Sequence, residues 1–200
     1  PVSIVTKSNL VCRDMDLLSA MAERGLVKVA LSVTTLDRKL ARLMEPRAAT
    51  PGRRLAAVNA LAKATIPTVV MVAPIIPALT DMEIELILGR AAGCGAIGAE
   101  YILLRLPLEI KALWREWLAE HYPDRAERIM RHIREARSGK EYDSRFHRRM
   151  VGEGPYAELI AQRFSLACKR LHLRRGREEN TLDCGQFRVP LEADGQLSLL

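Results

Sequence analysis

Only four cysteines occur in 200 residues, Cys12, Cys94, Cys168 and Cys184, and no two stand at CxxC spacing. Metal sites draw paired thiolates from short loops, so these four are not expected to hold a metal. No secretory signal precedes them, and a reduced, cytoplasmic compartment is expected. His121, His132, His147 and His172 also lack metal spacing and are read as structural. No apolar run approaches the ~20 residues of a membrane span, so no membrane partner is expected. An initiator Met and a signal peptide are both absent, and Pro1-Val2-Ser3 runs directly into a strand. The expectation is a piece of a longer protein, truncated at its N-terminus. Clear strand signals are absent from the second half, which reads as helical.

What is present is a soluble, globular composition, 48% hydrophobic and 28% charged. The chain is long enough to bury a substantial core in one or two domains. Its net charge of +7 is unevenly spread. Residues 1–104 carry 12 Lys+Arg against 9 Asp+Glu, residues 105–188 carry 19 against 13, and the last 12 residues carry 0 against 2. The excess gathers around Arg145-Phe146-His147-Arg148-Arg149 and Arg174-Arg175-Gly176-Arg177. A face of this kind attracts phosphates. The simpler reading is a solvated helical face, because Glu residues are interleaved.

The first half alternates. Apolar runs at residues 2–6, 27–33, 68–73 and 101–106 have strand length, and helical patterns lie between them. Asp14 is read as the cap of a helix to Arg24, with Leu17, Leu18 and Met21 inward and Gly25 as its stop. A short helix covers 36–44. Thr50 and Pro51 open another, with Leu55, Val58, Leu61 and Ala62 as its apolar stripe. Thr80-Asp81-Met82-Glu83 reads as a capping box for a helix to Ala92. Continuous Val/Ile/Leu strands joined by helices of about ten residues imply parallel pairing with right-handed crossovers. Four strands do not close a barrel. The expected fold is therefore α/β, the C-terminal half of a partial (β/α)6 TIM-like barrel over residues 1–106. A helical extension follows over 107–173. It carries Leu113, Trp114, Trp117 and Leu118 on one helix, with the two Trp read as core. A last helix has Leu159, Ile160, Phe164, Ala167 and Leu171 inward. Residues 174–200 read as a polar tail.

Strand ends of such folds hold ligands. Lys7 and Ser32 stand near the ends of the first two strands and are candidate binding residues. Thr34 and Thr35 are weaker candidates beside them. Glu45 and Arg47, in a loop after a strand–helix pair, are candidates for an ion pair or a substrate rim. Arg54 lies in the first turn of a helix, where a cation opposes the dipole. That placement points to a ligand or an acidic partner.

The ordered set Val5-Thr6-Lys7, Leu31-Ser32-Val33, Glu45-Pro46, Arg54-Leu55-Ala56-Ala57 and Val72-Ala73-Pro74-Ile75 resembles the radical S-adenosylmethionine enzymes. It resembles in particular the spore photoproduct lyase-like group and its "DNA repair photolyase" relatives, over residues 1–80. Tyr142-Asp143-Ser144-Arg145-Phe146 resembles the C-terminal extension of those relatives. The resemblance implies a lyase-like enzyme in which a [4Fe-4S] cluster and S-adenosyl-L-methionine yield a 5′-deoxyadenosyl radical for hydrogen abstraction, with a nucleic acid as candidate substrate. It assigns Lys7 to the methionine carboxylate, Ser32 to the cofactor, and Ala73, Pro74 and Ile75 to the adenine. The family's CxxxCxxC loop is absent here. Three thiolates must come from one short loop, so the cluster ligands are expected upstream of residue 1 and the fragment alone is expected to be inactive.

Two other readings stay open. A strand-end Lys7 in a barrel also suits a Schiff-base lyase or aldolase. Residues 105–188 also suit a basic module that binds nucleic acid. Separately, Gln196-Leu197-Ser198-Leu199-Leu200 resembles the peptide with which bacterial polymerases and repair proteins dock on the replication sliding clamp. Gln196, Leu197, Leu199 and Leu200 would be its anchors, and DNA and the clamp would then be partners.

Overall fold

Four apolar segments pair side by side into one parallel sheet, in the order β1 (Val2–Thr6), β2 (Val27–Ser32), β3 (Thr68–Ile75) and β4 (Gly98–Leu103). The computed structural model describes residues 1–146, 148–175 and 182–186. Pairing begins at Val2 with Val27, Val29 with Thr68, and Val69 with Gly98. Sequence-adjacent parallel strands require crossovers, and helices supply them: α1 (Met15–Glu23), α2 (Arg38–Met44), α3 (Pro51–Lys63) and α4 (Ile84–Gly93). The arrangement is compatible with part of a TIM-like barrel. Among the described residues the sheet stays open, with β1 and β4 as its edges.

The second half adds α5 (Ile110–His121), α6 (Pro123–Glu135), α7 (Arg148–Val151) and α8 (Pro155–Arg170). One core lies between the sheet and α1, α3, α4 and α8. Val29, Leu31, Val70 and Val72 are fully buried or nearly so there, with Phe164 of α8 4.8 Å from Tyr101 of β4. The core therefore runs across residue 106. A second cluster joins Leu40 of α2 to Trp114, Leu118, Ile129 and Ile133. Trp114 and Trp117 stack at 5.0 Å in that region. Residue Arg174 forms a parallel bridge with Gly98, and Asp183 N–H donates to Gly25 O at 2.9 Å, so parts of the region read as a tail pack back.

Several local expectations are corrected. Asp14 makes no side-chain cap; Ser8 accepts from Leu10 N–H and opens a 3-10 turn, Asn9–Asp14, ahead of α1. Thr80 to Glu83 is not a capping box. The Thr80 hydroxyl accepts from Ile76 N–H, and Glu83 turns toward the exit of β2. β4 spans Gly98–Leu103 rather than 101–106, because β3 presents an open edge that pairs Gly98 and Ala99 despite their weak strand preference. Leu17, Leu113 and Leu159 are exposed, one helical position away from the buried stripes. Gly25 does end α1: at φ +67° it lets Leu26 N–H reach Met21 O and its own N–H reach Ala22 O, both at 2.9 Å.

Gly95 follows α4 at φ +94°, and a Cβ there would stand 2.6 Å from the Cβ of Ala62 in α3. Gly95→Ala combines backbone strain with a clash and is expected to lower unfolding stability by about 2 kcal/mol, measured by urea denaturation.

Candidate functional site

Parallel strands deliver their C-terminal ends to one rim. Lys7 follows β1, Thr34 and Thr35 follow β2, Ala73 and Pro74 lie near the C-terminal end of β3, and Arg105 follows β4. Glu45, at the end of α2, reaches into this rim. Its Oε1 accepts from Lys7 Nζ at 2.5 Å and lies 3.1 Å from Thr34 Oγ1. Its Oε2 accepts from Arg54 Nη2. Arg54 is 2% exposed and donates twice more, from Nε to Ala49 O at 2.7 Å and from Nη1 to Ser32 O at 2.9 Å. Thr34 Oγ1 is also 3.2 Å from Ala73 O, so its single proton serves Glu45 or β3 in turn.

A buried guanidinium is tolerated only where its donors are met and its charge is balanced. All three nitrogens of Arg54 find acceptors, and Glu45 supplies the charge. That is the acidic partner its first-turn position pointed to. Glu45 pairs with Lys7 and Arg54 rather than with Arg47, which is exposed in the turn after α2. Burial alone pushes the Glu45 carboxyl up, but the hydrogen bonds and charges of Lys7 and Arg54 outweigh it and hold the carboxyl below its ordinary range. Lys7 is 42% exposed, so one face of its ammonium meets solvent.

The other candidates are placed as follows. Ser32 is buried and contributes its carbonyl to Arg54. Ala73 and Pro74 are half-buried at the rim and joined by a cis peptide bond. The Ile75 side chain is fully buried in the core and offers no surface to a ligand. Gln196, Leu197, Leu199 and Leu200 lie outside the described residues.

Several contacts were not anticipated. Thr35 Oγ1 donates to Glu83 Oε1 at 2.5 Å, and Leu36 N–H donates to Oε2 at 2.7 Å, so a carboxylate from the start of α4 closes the exit of β2. Arg137, almost fully buried, donates to Leu104 O at 3.1 Å and Arg148 O at 2.7 Å, tying the exit of β4 to α7. Nothing in the local pattern around Arg137 marks it. The sheet face opposite the helices lines a cleft of about 680 Å³, with Val5, Ala30, Met71 and Ile102 below and Met150 of α7 among its walls.

The residues described do not fit an iron–sulfur cluster. No three His, Cys, Asp or Glu side chains come together among them. The cysteines are dispersed, and burial pushes the Cys12 thiol up and the Cys168 thiol up to about 11, the opposite of what thiolate ligation needs. No described helix is long and apolar enough to cross a membrane.

Residues 2–91 match the Radical SAM superfamily. The matched segment contains every residue of the Glu45 network. An uncharacterised protein of Mycobacterium tuberculosis is 36% identical over 126 residues, 62% of this chain and 37% of the relative. An uncharacterised protein of Methanocaldococcus jannaschii is 30% identical over 128 residues, 64% of this chain and 46% of the relative. One from Acidianus two-tailed virus is 39% identical over 74 residues, 37% of this chain and 24% of the relative. The chain thus spans little more than a third of the mycobacterial relative. No solved structure is significantly similar to it.

The two cations on Glu45 differ in burial, and their removal should differ accordingly. Arg54→Met strands a buried carboxylate and is expected to cost about 3 kcal/mol, whereas Lys7→Met, at a partly solvated pair, is expected to cost under about 1 kcal/mol, both by urea denaturation. Acid provides a second check. Glu45 is held below 4.5, so the stability it contributes is present above that pH and is lost as pH falls from there toward its folded value. Glu45→Gln is expected to flatten that part of the stability profile.

Proposed function

We propose that this chain carries part of the S-adenosylmethionine site of a radical S-adenosylmethionine enzyme, with Lys7 holding the methionine carboxylate. The observation that carries this reading is the position of Lys7 within the matched segment. It stands at the C-terminal end of β1, oriented by Glu45 on one side and open to solvent on the other. An ammonium has three donors. Glu45 occupies one, and the others remain for an incoming carboxylate, where a charge-assisted bond is strong. Ala73 and Pro74 offer backbone and a small apolar surface to the adenine, a role the buried Ile75 leaves to them.

The finer parts of the reading go with it. The reaction class is radical hydrogen-atom abstraction in the manner of the spore photoproduct lyase-like group, and the [4Fe-4S] cluster of that class would be ligated outside the described residues. A nucleic-acid substrate is supported by the basic excess of residues 105–188. Docking on the sliding clamp is supported by the sequence of residues 196–200 alone.

In the full protein carrying this chain, Lys7→Ala is expected to weaken S-adenosylmethionine binding by about 1.5–3 kcal/mol, measured by calorimetry on a variant with an unchanged circular dichroism spectrum. Unchanged affinity would remove Lys7 from the site.

A further inference from the structure

A second pocket, of about 570 Å³, opens between α2 and the turn leading to α3. Arg38, Lys39 and Arg42 of α2 line it, with Glu45, Pro46 and Thr50 among its other walls. Its charge is one-sided. The side chains of Arg38, Lys39 and Arg42 make no ion pair or hydrogen bond among the described residues. Glu45 does not neutralise them, since Lys7 and Arg54 already engage both of its oxygens. Asp37 is occupied as the cap of α2, accepting from Lys39 and Leu40 N–H.

The local placement of these cations is unfavourable. Arg38 and Lys39 sit in the first turn of α2, where the helix dipole disfavours positive charge. Arg38 and Arg42 are four residues apart, a spacing at which like charges destabilise a helix. Arg38 breaks both rules and Lys39 the first, while Arg42 in the last turn breaks only the second; such cations gathered beside one cavity mark a position where an anion offsets the cost. Guanidinium groups pair with phosphate oxygens two at a time, and a pocket of this volume admits a small-molecule ligand.

We infer that this pocket binds a phosphate-bearing ligand with at least two negative charges, gripped by Arg38, Lys39 and Arg42. The inference does not rest on the S-adenosylmethionine reading, because Lys7 is not among the lining residues. The phosphates belong either to a free diphosphate-type molecule or to a polynucleotide backbone, and two arms of one experiment separate these. Inorganic diphosphate and a single-stranded oligonucleotide are each titrated by calorimetry into the protein, the Arg38→Gln/Arg42→Gln variant and the control Arg90→Gln, an exposed cation on α4. Saturable binding of diphosphate that falls at least tenfold in the double variant but not in the control supports the inference with a free ligand. The same pattern for the oligonucleotide, with diphosphate weak, supports it with a backbone. Arg42→Lys, which keeps the charge, should retain most of the affinity in either case. Binding of neither probe, or equal binding by the protein and the double variant, overturns it. All the substituted side chains are exposed, so the variants should fold, which circular dichroism checks.

Discussion

A single half-buried carboxylate holds the rim of this sheet together. Glu45 accepts from Lys7 at the end of β1 and from Arg54 of α3, and Thr34 past β2 lies within hydrogen-bonding distance. Through Arg54 it is linked to the carbonyls of Ser32 and Ala49, and through Thr34 to that of Ala73. Three strand exits and the loop between α2 and α3 therefore converge on one group. Burying that carboxylate is costly unless both oxygens are met. The requirement works in both directions, since Arg54 is deeper still and has no other acid to balance it among the described residues. The result is a rim whose charges cancel inside and leave the Lys7 ammonium directed outward.

The rest of the fold supplies rigidity and space. Helices cover one face of the parallel sheet, as buried apolar strands require. The opposite face lines the large cleft and carries α7 across part of it. Arg137 anchors that strap to the exit of β4 by two backbone carbonyls. The arrangement suits ligand chemistry on the strand-end side: a fixed cation at one strand end, a half-buried stretch of backbone at another, and an open sheet face between them. Helices that carry no rim residue, such as α8, contribute by filling the core beneath β4 with Phe164.

What was legible in the sequence depended on how local its cause was. Continuous apolar runs marked β1 to β3, and the Gly25 stop of α1 followed from the turn it makes. The start of β4 was hidden because Gly98 and Ala99 are strand residues only by virtue of the edge β3 offers them. By its misfit with the helix dipole, Arg54 pointed to a ligand or an acidic partner, and Glu45 lies against it. The identity of that partner was not readable, because Glu45 could pair with the nearby Arg47 as well as with Lys7, 38 residues away. Thr80 and Glu83 had the spacing of a cap, yet a local bond from Ile76 N–H and a tertiary one from Thr35 drew the two side chains elsewhere. Arg137 left no trace at all, since its role is to satisfy carbonyls 11 and 33 residues distant.

The central claim is that the Lys7 ammonium, set by Glu45, is a carboxylate-binding point. The most direct measurement compares the affinities of S-adenosylmethionine and its decarboxylated analogue for the full protein and for Lys7→Gln. The account predicts that the protein prefers the carboxylated ligand at least tenfold, the effect of one charge-assisted hydrogen bond, and that Lys7→Gln abolishes the preference. Equal affinity for the two ligands, or a preference that survives in Lys7→Gln, would contradict it.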